Sequence, residues 1–364
     1  MKDIRIRALL PEDIHKIGAL IGTHDEIDRA GCQKRVELIK WLAFSNPHAN
    51  GEPTYFVAED GERIVAHLGR MPTKFLINGK IESGYFLHDL YVDPEYRKHG
   101  KGLFLTMALY KAAEANSASF CCLVWTSDLN LQMQRRRGYH EMCADRYVKL
   151  LNPYGELERK IGQNSLAKAA SLIFRGLGAV ADSILFLLVH PRLNISRIHR
   201  FDSRFDAMNQ RAGTHKLGIM PLKTSEYLNW KFTQRPFSRA VVFAAEKNKE
   251  ILGYVVLDIQ NKGKYQTGTI VDIMADPEDR TTVSSLVIAT IKHFRREKVH
   301  FIRCCLSNKK LGRILKRFLF FNTFFYKEPV MLANLEKFSK GNYLADINHW
   351  HLTYADSDYF MLPA

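Results

Sequence analysis

Cysteine is scarce in this 364-residue chain. The six present, Cys32, Cys121, Cys122, Cys143, Cys304 and Cys305, are spaced for none of the structural uses of thiols. Two adjacent pairs inside apolar runs make neither a disulfide framework nor a zinc site, so a reducing, cytoplasmic setting is expected. A clean apolar run is also missing. The opening MKDIRIRALLPEDIHKIGAL is charged throughout, and no secretory leader is expected. The longest apolar stretch, 166–189, is interrupted at heptad spacing by Lys168, Arg175 and Asp182, a narrow polar stripe on an otherwise apolar helix. Arg175 would sit near the bilayer centre of a spanning segment, so no transmembrane segment is expected. Peripheral membrane contact stays open, and packing between two domains is the expectation.

Acidic residues are in deficit, with 38 Asp and Glu against 53 Lys and Arg and a formal charge of +15. That balance suits anionic partners: phosphorylated cofactors, nucleotide-linked substrates, nucleic acid or acidic lipid. No DNA- or RNA-binding motif and no basic low-complexity tail accompany it, so nucleic acid is not an expected partner. Apolar residues at 46% and charged residues at 25% exclude a disordered chain. The length suits two domains.

What the chain does have is a repeat. YVDPEYRKHGKG at 91–102 returns as MADPEDRTTVSS at 274–285. At one constant offset, about half the chain length, Asp89 falls on Asp272, Pro94 on Pro277, Arg97 on Arg280 and the pair Cys121-Cys122 on Cys304-Cys305. Trp41 and Pro47 have the same separation as Trp230 and Pro236. So long a period indicates two copies of one domain rather than a solenoid. Periodicity gives each copy a mixed α/β content, with strands near 55–58, 63–70 and 85–92, a helix from Lys101, a buried strand FCCLVW, a short helix and a closing strand RYVKLL. The expected domains are 1–150 and 213–364, joined by a helical, basic connector over 151–212.

The loop after Val92 has a chemical use. The first turn of a helix offers unpaired N–H groups and the positive end of its dipole. Gly100 and Gly102 would let that backbone approach a diphosphate, with Arg97, Lys98 and Lys101 supplying charge. The spacing is neither a P-loop nor a dinucleotide fingerprint, and by itself the loop also fits a solvated turn.

The wider segment LHDLYVDPEYRKHGKGLFLTMAL resembles the acetyl-CoA motif of the GNAT N-acetyltransferases, in which an Arg/Gln-x-x-Gly-x-Gly/Ala turn follows a strand reading hydrophobic-Val-x-Pro. The likeness extends to IRIRALLPEDI and CCLVWTSDLNLQMQRRRGYHEM, covering most of 1–150. It implies two tandem GNAT-like domains, each a mostly antiparallel sheet flanked by helices, with acetyl-CoA as acyl donor. It further implies that Arg97, Lys98, His99, Gly100, Lys101 and Gly102 hold the CoA diphosphate. Main-chain groups of Leu90, Tyr91 and Val92 would pair with the pantetheine arm, in a gap between splayed strands.

Acetyl transfer needs a neutral amine, support for the oxyanion and a proton for the thiolate. An imidazole suits a base working near neutrality, which makes His88 the candidate, and His88 also fits a hydrogen-bonded strand histidine. Asp89 would be structural or orient the substrate, and a backbone N–H near Tyr91 or Val92 would meet the oxyanion. Many GNAT enzymes place a Tyr acid where Gln134 stands here, so that role would pass to Tyr139, Tyr147 or water.

In the second copy the two glycine positions hold Val283 and Ser285 and the lysines are Thr, so the cradle is expected to be lost there. That copy would complete a substrate cleft between the two. Asp272 would bind an amine or hydroxyl, or simply end a strand. The basic run 308–318 would hold substrate phosphates or form a solvated face. His349, His351, Asp356 and Asp358 fix no ligand set, so no metal site is expected and the tail is expected to be a terminal strand and loop. Segments around Trp230, Pro236 and 350–358 are similar to tandem GNAT proteins of bacterial surface-polysaccharide pathways, implying an amino sugar or nucleotide-linked amino sugar as acceptor. The alternatives are a tRNA-dependent aminoacyl transferase and a non-catalytic CoA-binding scaffold. The sequence leaves the oligomeric state open.

Overall fold

The computed structural model describes residues 4–356 except 24–27, 99, 116–119, 125–126, 162–164, 190–192, 214–216, 263–264, 324–325, 334 and 336–340. The first half runs β1 (Ile4–Ala8), α1 (Ile14–Ile21), α2 (Arg29–Phe44), β2 (Tyr55–Asp60), β3 (Arg63–Ile77), β4 (Lys80–Val92), α3 (Lys101–Glu114), β5 (Phe120–Val124), α4 (Asp128–Arg136) and β6 (His140–Leu150). A connector follows with α5 (Tyr154–Ile161), α6 (Ser165–Val189), β7 (Asn194–Ile198) and α7 (Ser203–Gly213). The second half holds β8 (Met220–Pro221), α8 (Ser225–Leu228), β9 (Val241–Lys247), β10 (Glu250–Lys262), β11 (Tyr265–Ala275), α9 (Arg280–Arg296), β12 (Phe301–Leu306), α10 (Lys309–Arg317), β13 (Phe321–Asn322) and β14 (Glu328–Ala333). It is the mixed α/β fold that the periodicity implied, with the mostly antiparallel sheet that the resemblance implied.

The strands β2, β3 and β4 pair antiparallel, α3 crosses over, and β5 returns parallel to β4. The strands β9, β10 and β11, then α9 and β12, repeat that order and those directions. The β3–β4 hairpin is longer than alternation suggested. It extends through MPTKFLI to a turn at Asn78-Gly79, both with positive φ, the two-residue hairpin signal that the sequence carries.

The closing strands depart from expectation. The main path of the sheet runs β1-β2-β3-β4-β5-β14-β6-β12-β11-β10-β9-β7. Thus β6 pairs with β12, from Phe301↔Leu150 to Leu306↔Asp145, instead of closing the first half's own sheet. Reciprocally, β14 enters between β5 and β6. Each half is completed by a strand from the other, so a cut at residue 150 would fall at the end of a strand embedded in the second half's sheet. The buried core is likewise shared: Trp350 packs edge-on against Phe75 and Phe120, with ring centroids 6.0 Å apart in each case.

On the first half's sheet α3 covers one face, while α1 covers the other and carries α2 packed beside it. In the second half α9 covers β9–β11, and α6 lies against α9 as an outer layer rather than between two domains. That placement corrects the expected interdomain packing of 166–189.

Candidate active site

The site is built at the end of β4. Parallel pairing with β5 covers only Gly84↔Phe120, Tyr85↔Cys121 and Phe86↔Cys122. Beyond Phe86 the strands part. The β3–β4 register slips where Gly69 faces His88 and His67 faces Tyr91, and Asp89 takes φ +49° inside that bulge. A bulge of this kind bends its strand and re-aims the side chains. Val124 follows β14 instead, pairing with Val330. A gap therefore opens between Leu90–Val92 and the end of β5.

The following loop meets the demand placed on its two glycines for two different reasons. Gly100 caps α3 at φ +74°, a left-handed conformation with open space around it. A Cβ on Gly102 would stand 3.0 Å from Arg97 Cα, so here the requirement is a close approach of backbone. Lys98 and Lys101 are exposed beside them. Arg97 turns inward: its Nε donates to Val92 O at 2.8 Å and its guanidinium lies over the Tyr91 ring, 5.1 Å from the centroid. It braces the strand end, and the Val92 carbonyl is committed to it. His99 lies outside the described residues.

Behind the gap sits a buried charged cluster. The Asp89 carboxylate accepts from Arg35 Nη2 at 2.5 Å and Tyr55 OH at 3.3 Å, with His67 Nε2 also at 3.3 Å. Burial works to raise the Asp89 pKa, but His67 and then Arg35 outweigh it and hold the group below the usual carboxylate range. Asp89 is therefore an anion that anchors α2 to the bulge. The His88 ring is edge-on to Tyr55 at 5.2 Å and lies directly over Gly69, where any side chain would collide with it. Tyr91 OH meets Thr23 Oγ1 at 3.1 Å. Next to Thr23, Gly22 lines an open cavity of about 940 Å³ between α1, α2 and Phe237 of the second half.

The tyrosines named as acids are committed elsewhere. The Tyr139 hydroxyl donates to Glu114 in a short contact, beside Arg137 Nη1 at 3.3 Å. Burial, then Cys121 and Glu114, push its pKa far above the ordinary phenol value. A phenol bound to a carboxylate on the α3 side is not presented to the gap. Tyr147 OH packs on Gly312 and points to Asp145. Gln134 is buried and structural, accepting from Arg137 Nη1 at 2.8 Å and donating to Asn130 Oδ1 at 3.1 Å.

The second half opens the same kind of gap and fills it. Pairing of β11 with β12 ends at Ile270↔Cys304. Into the space beyond comes the tail: Ser307 N donates to Leu352 O at 3.1 Å, and His351 Nε2 lies 3.0 Å from Ile273 O. Thr353 Oγ1 donates to Asp272 Oδ1 at 2.9 Å. The tail is a plug held by isolated bridges and short turns, not the strand and loop expected. Asp272 also accepts from Lys223 Nζ at 2.7 Å and Tyr254 OH at 2.8 Å, which leaves it a structural anion. The loop has gone too. Helix α9 begins at Arg280, the position matching Arg97, so helical turns occupy the residues that form the loop in the first half. Val283 and Ser285 are buried within it. His349 Nδ1 meets Tyr343 O, well apart in its contacts from His351, and Asp358 lies outside the described residues. The basic face of α10 borders a notch of about 210 Å³ with Arg280, Lys310, Arg313 and Arg317.

Residues 25–140 match the model of the Acetyltransferase (GNAT) family. Among curated proteins no sequence matches the chain. Solved structures match over nearly its full length. The GCN5-related N-acetyltransferase from Anabaena variabilis has TM-score 0.60 at 12% identity, covering 90% of this chain and 72% of that one. A probable N-acyltransferase from Enterococcus faecalis has TM-score 0.56 at 13% identity, covering 90% and 71%. The Saccharomyces cerevisiae N-myristoyltransferase with bound myristoyl-CoA has TM-score 0.56 at 9% identity, covering 91% and 83%. At such identities the likeness speaks to the fold. Residues 25–140 thus match the GNAT acetyltransferase family in sequence, and the chain as a whole shares the fold of N-acyltransferases, one of them holding an acyl-CoA.

Proposed function

We propose that the chain transfers an acetyl or other short acyl group from acetyl-CoA to an amine on a sugar or nucleotide-linked sugar, using one site in its first half. The observation that carries this reading is the open β4–β5 gap leading into the Gly100–Gly102 turn, set against a second gap that the tail fills. The two units would be 1–150 and 213–364, each borrowing a strand from the other. The six free thiols suit a reducing, cytoplasmic setting.

The residues fit the donor. Backbone N–H groups from Lys98 to Gly102 would hold its diphosphate, with Lys98 and Lys101 adding charge. Leu90 and Tyr91 would pair with the extended arm as an added strand would. Acyl-CoA supplies the thioester carbonyl that the amine attacks. His88 would take the first proton from the ammonium, directly or through water, with Asp89, Arg35 and Tyr55 fixing the strand that carries it. The ammonium loses a second proton as the amide forms, and that proton balances the departing thiolate, so Tyr139 is not needed. The cavity between α1, α2 and Phe237 would receive the acceptor, and its position between halves supports the sharing of substrate binding. The alternative of a CoA-binding scaffold is favoured by Gln134 alone.

His88→Gln should lower kcat by about 100- to 10,000-fold with little change in the KM for acetyl-CoA. The remaining rate should climb with pH as the amine deprotonates unaided. Thiol release measured from about pH 6 to about pH 11 checks this, a range that brackets an imidazole and an amine (about 6.5 and 10.4). An unchanged rate would remove His88 from the mechanism. Absence of turnover in the parent with every amino sugar tried, despite acetyl-CoA binding, would favour the scaffold.

Calorimetric titration of the parent should give a single acetyl-CoA site per chain. Two sites would mean that the tail leaves the second gap when donor is present.

A further inference from the structure

Helix α6 is built inside out for a water-facing helix. Its buried positions are Ala167, Ser171 and Asp182, while Ile173, Leu177, Val180, Ile184 and Leu188 form one exposed stripe along four turns. Leu188 is 73% exposed and Ile173 63%. The helix has a mean hydropathy of 2.0 over its most apolar 18-residue window, only 6% of which is buried, so it is not the core helix of a soluble protein. Contiguous exposed apolar surface of this kind marks a contact surface.

We propose that α6 seats this protein on an anionic lipid bilayer, lying in the plane of the interface with its stripe among the acyl chains. Three observations select that occupant. First, the helix is fastened lengthwise to the body. Asp182, 1% exposed, accepts from Lys149 Nζ at 2.8 Å and Arg295 Nε at 2.9 Å, and withdrawing it to span a membrane would strand both cations. Second, the exposed charges on α6, Lys168 and Arg175, are both positive, so the helix adds no exposed acidic group beside its stripe. Phe186 lies 6.5 Å from Phe318, next to the exposed Lys316 and Arg317, so the rim at this end is basic as well. Third, a second copy fits poorly. One face of a 25-residue helix offers about 37 Å by about 10 Å, less than half of the about 800 Å² per partner that stable interfaces bury, and it would bring like charges together.

The test is flotation of the full chain with phosphatidylcholine vesicles, with and without about 30% phosphatidylglycerol. The parent should float with the anionic vesicles, less so as salt is raised. A variant carrying Ile173→Glu, Leu177→Glu and Ile184→Glu, all at exposed positions, should bind them at least about ten-fold more weakly. Its unchanged melting temperature and acetyl-CoA titration would show that fold and donor site are intact, and vesicle binding needs neither donor nor acceptor, so the result stands apart from the acyl-transfer reading. Equal binding to both vesicle types would overturn the anionic preference. Binding to neither would overturn the proposal, and a parent dimer that the triple variant abolishes in light scattering would then assign the face to a second copy.

Discussion

A chain carrying Gly100→Val and Gly102→Val together binds acetyl-CoA at least about 100-fold more weakly than the parent, while its melting temperature falls by only about 2–4 °C. The two substitutions act differently. At φ +74° Gly100 has open space around it, so the cost of valine is in the backbone, about 1–2 kcal/mol for leaving an L-residue in the left-handed region. Gly102 is in ordinary helical geometry, and there the added carbon presses on Arg97 Cα. Either way the turn must reshape, and the N–H groups proposed to hold the diphosphate are displaced. Two charge-assisted hydrogen bonds at about 1.5–3 kcal/mol each make the expected affinity change. The turn lies at the rim of the sheet, away from the buried core, which is why folding suffers little. Circular dichroism, thermal melting and calorimetry on the same preparation decide the matter. A folded double variant that still binds would remove the cradle from this loop.

That loop was legible because its chemistry is local. Positive φ, close backbone approach and a helix start are each written within a few residues, so Val283 and Ser285 could be read as the loss of that turn before any fold was known. The mechanism of the loss was not legible. Nothing in MADPEDRTTVSS says that α9 starts early, and nothing in HWHLTYADSD says that Thr353 reaches Asp272. Those facts depend on pairing across distant segments. The same holds for β6 and β14. Each has strand composition, yet which sheet receives it is decided by partners more than 150 residues away in sequence, such as Phe301 for Leu150. Tyr139 was misplaced for a related reason: Gly138-Tyr139 follows the family pattern, but Glu114 and Arg137 claim the hydroxyl. In α6 the polar stripe was seen correctly and oriented only in part. Asp182 is buried against the protein, where Lys149 and Arg295 await it, while Lys168 and Arg175 on the same side of the helix stay exposed. An apolar helix then shows its apolar side outward, which periodicity alone cannot reveal.

The largest stability change should come from the second half, at Asp272→Ala. Lys223 is buried and donates to Asp272, with Asp356 3.9 Å away. Burial alone would push the Asp272 carboxyl up, but Lys223 outweighs it and the group is held below the ordinary range. Asp356 goes the other way, raised by burial. Asp272 makes the direct bond to the buried ammonium, and deleting it costs about 3–5 kcal/mol because Lys223 loses its nearest anionic partner. The alanine also strips the acceptor from Tyr254 and Thr353, loosening the plug between β11 and β12. Urea unfolding of Asp272→Ala, Lys223→Met and the pair should show that the double variant recovers part of the loss, since it removes both charges. The pH dependence has a definite sign. A depressed carboxyl contributes fully above its unfolded value of about 3.9 and loses that contribution as pH falls through the lower folded value. The gap between parent and Asp272→Ala should therefore be constant near neutrality and close only in acid. A loss below about 1 kcal/mol for Asp272→Ala would mean that water reaches Lys223, and the filled gap would have to be redrawn as an open one.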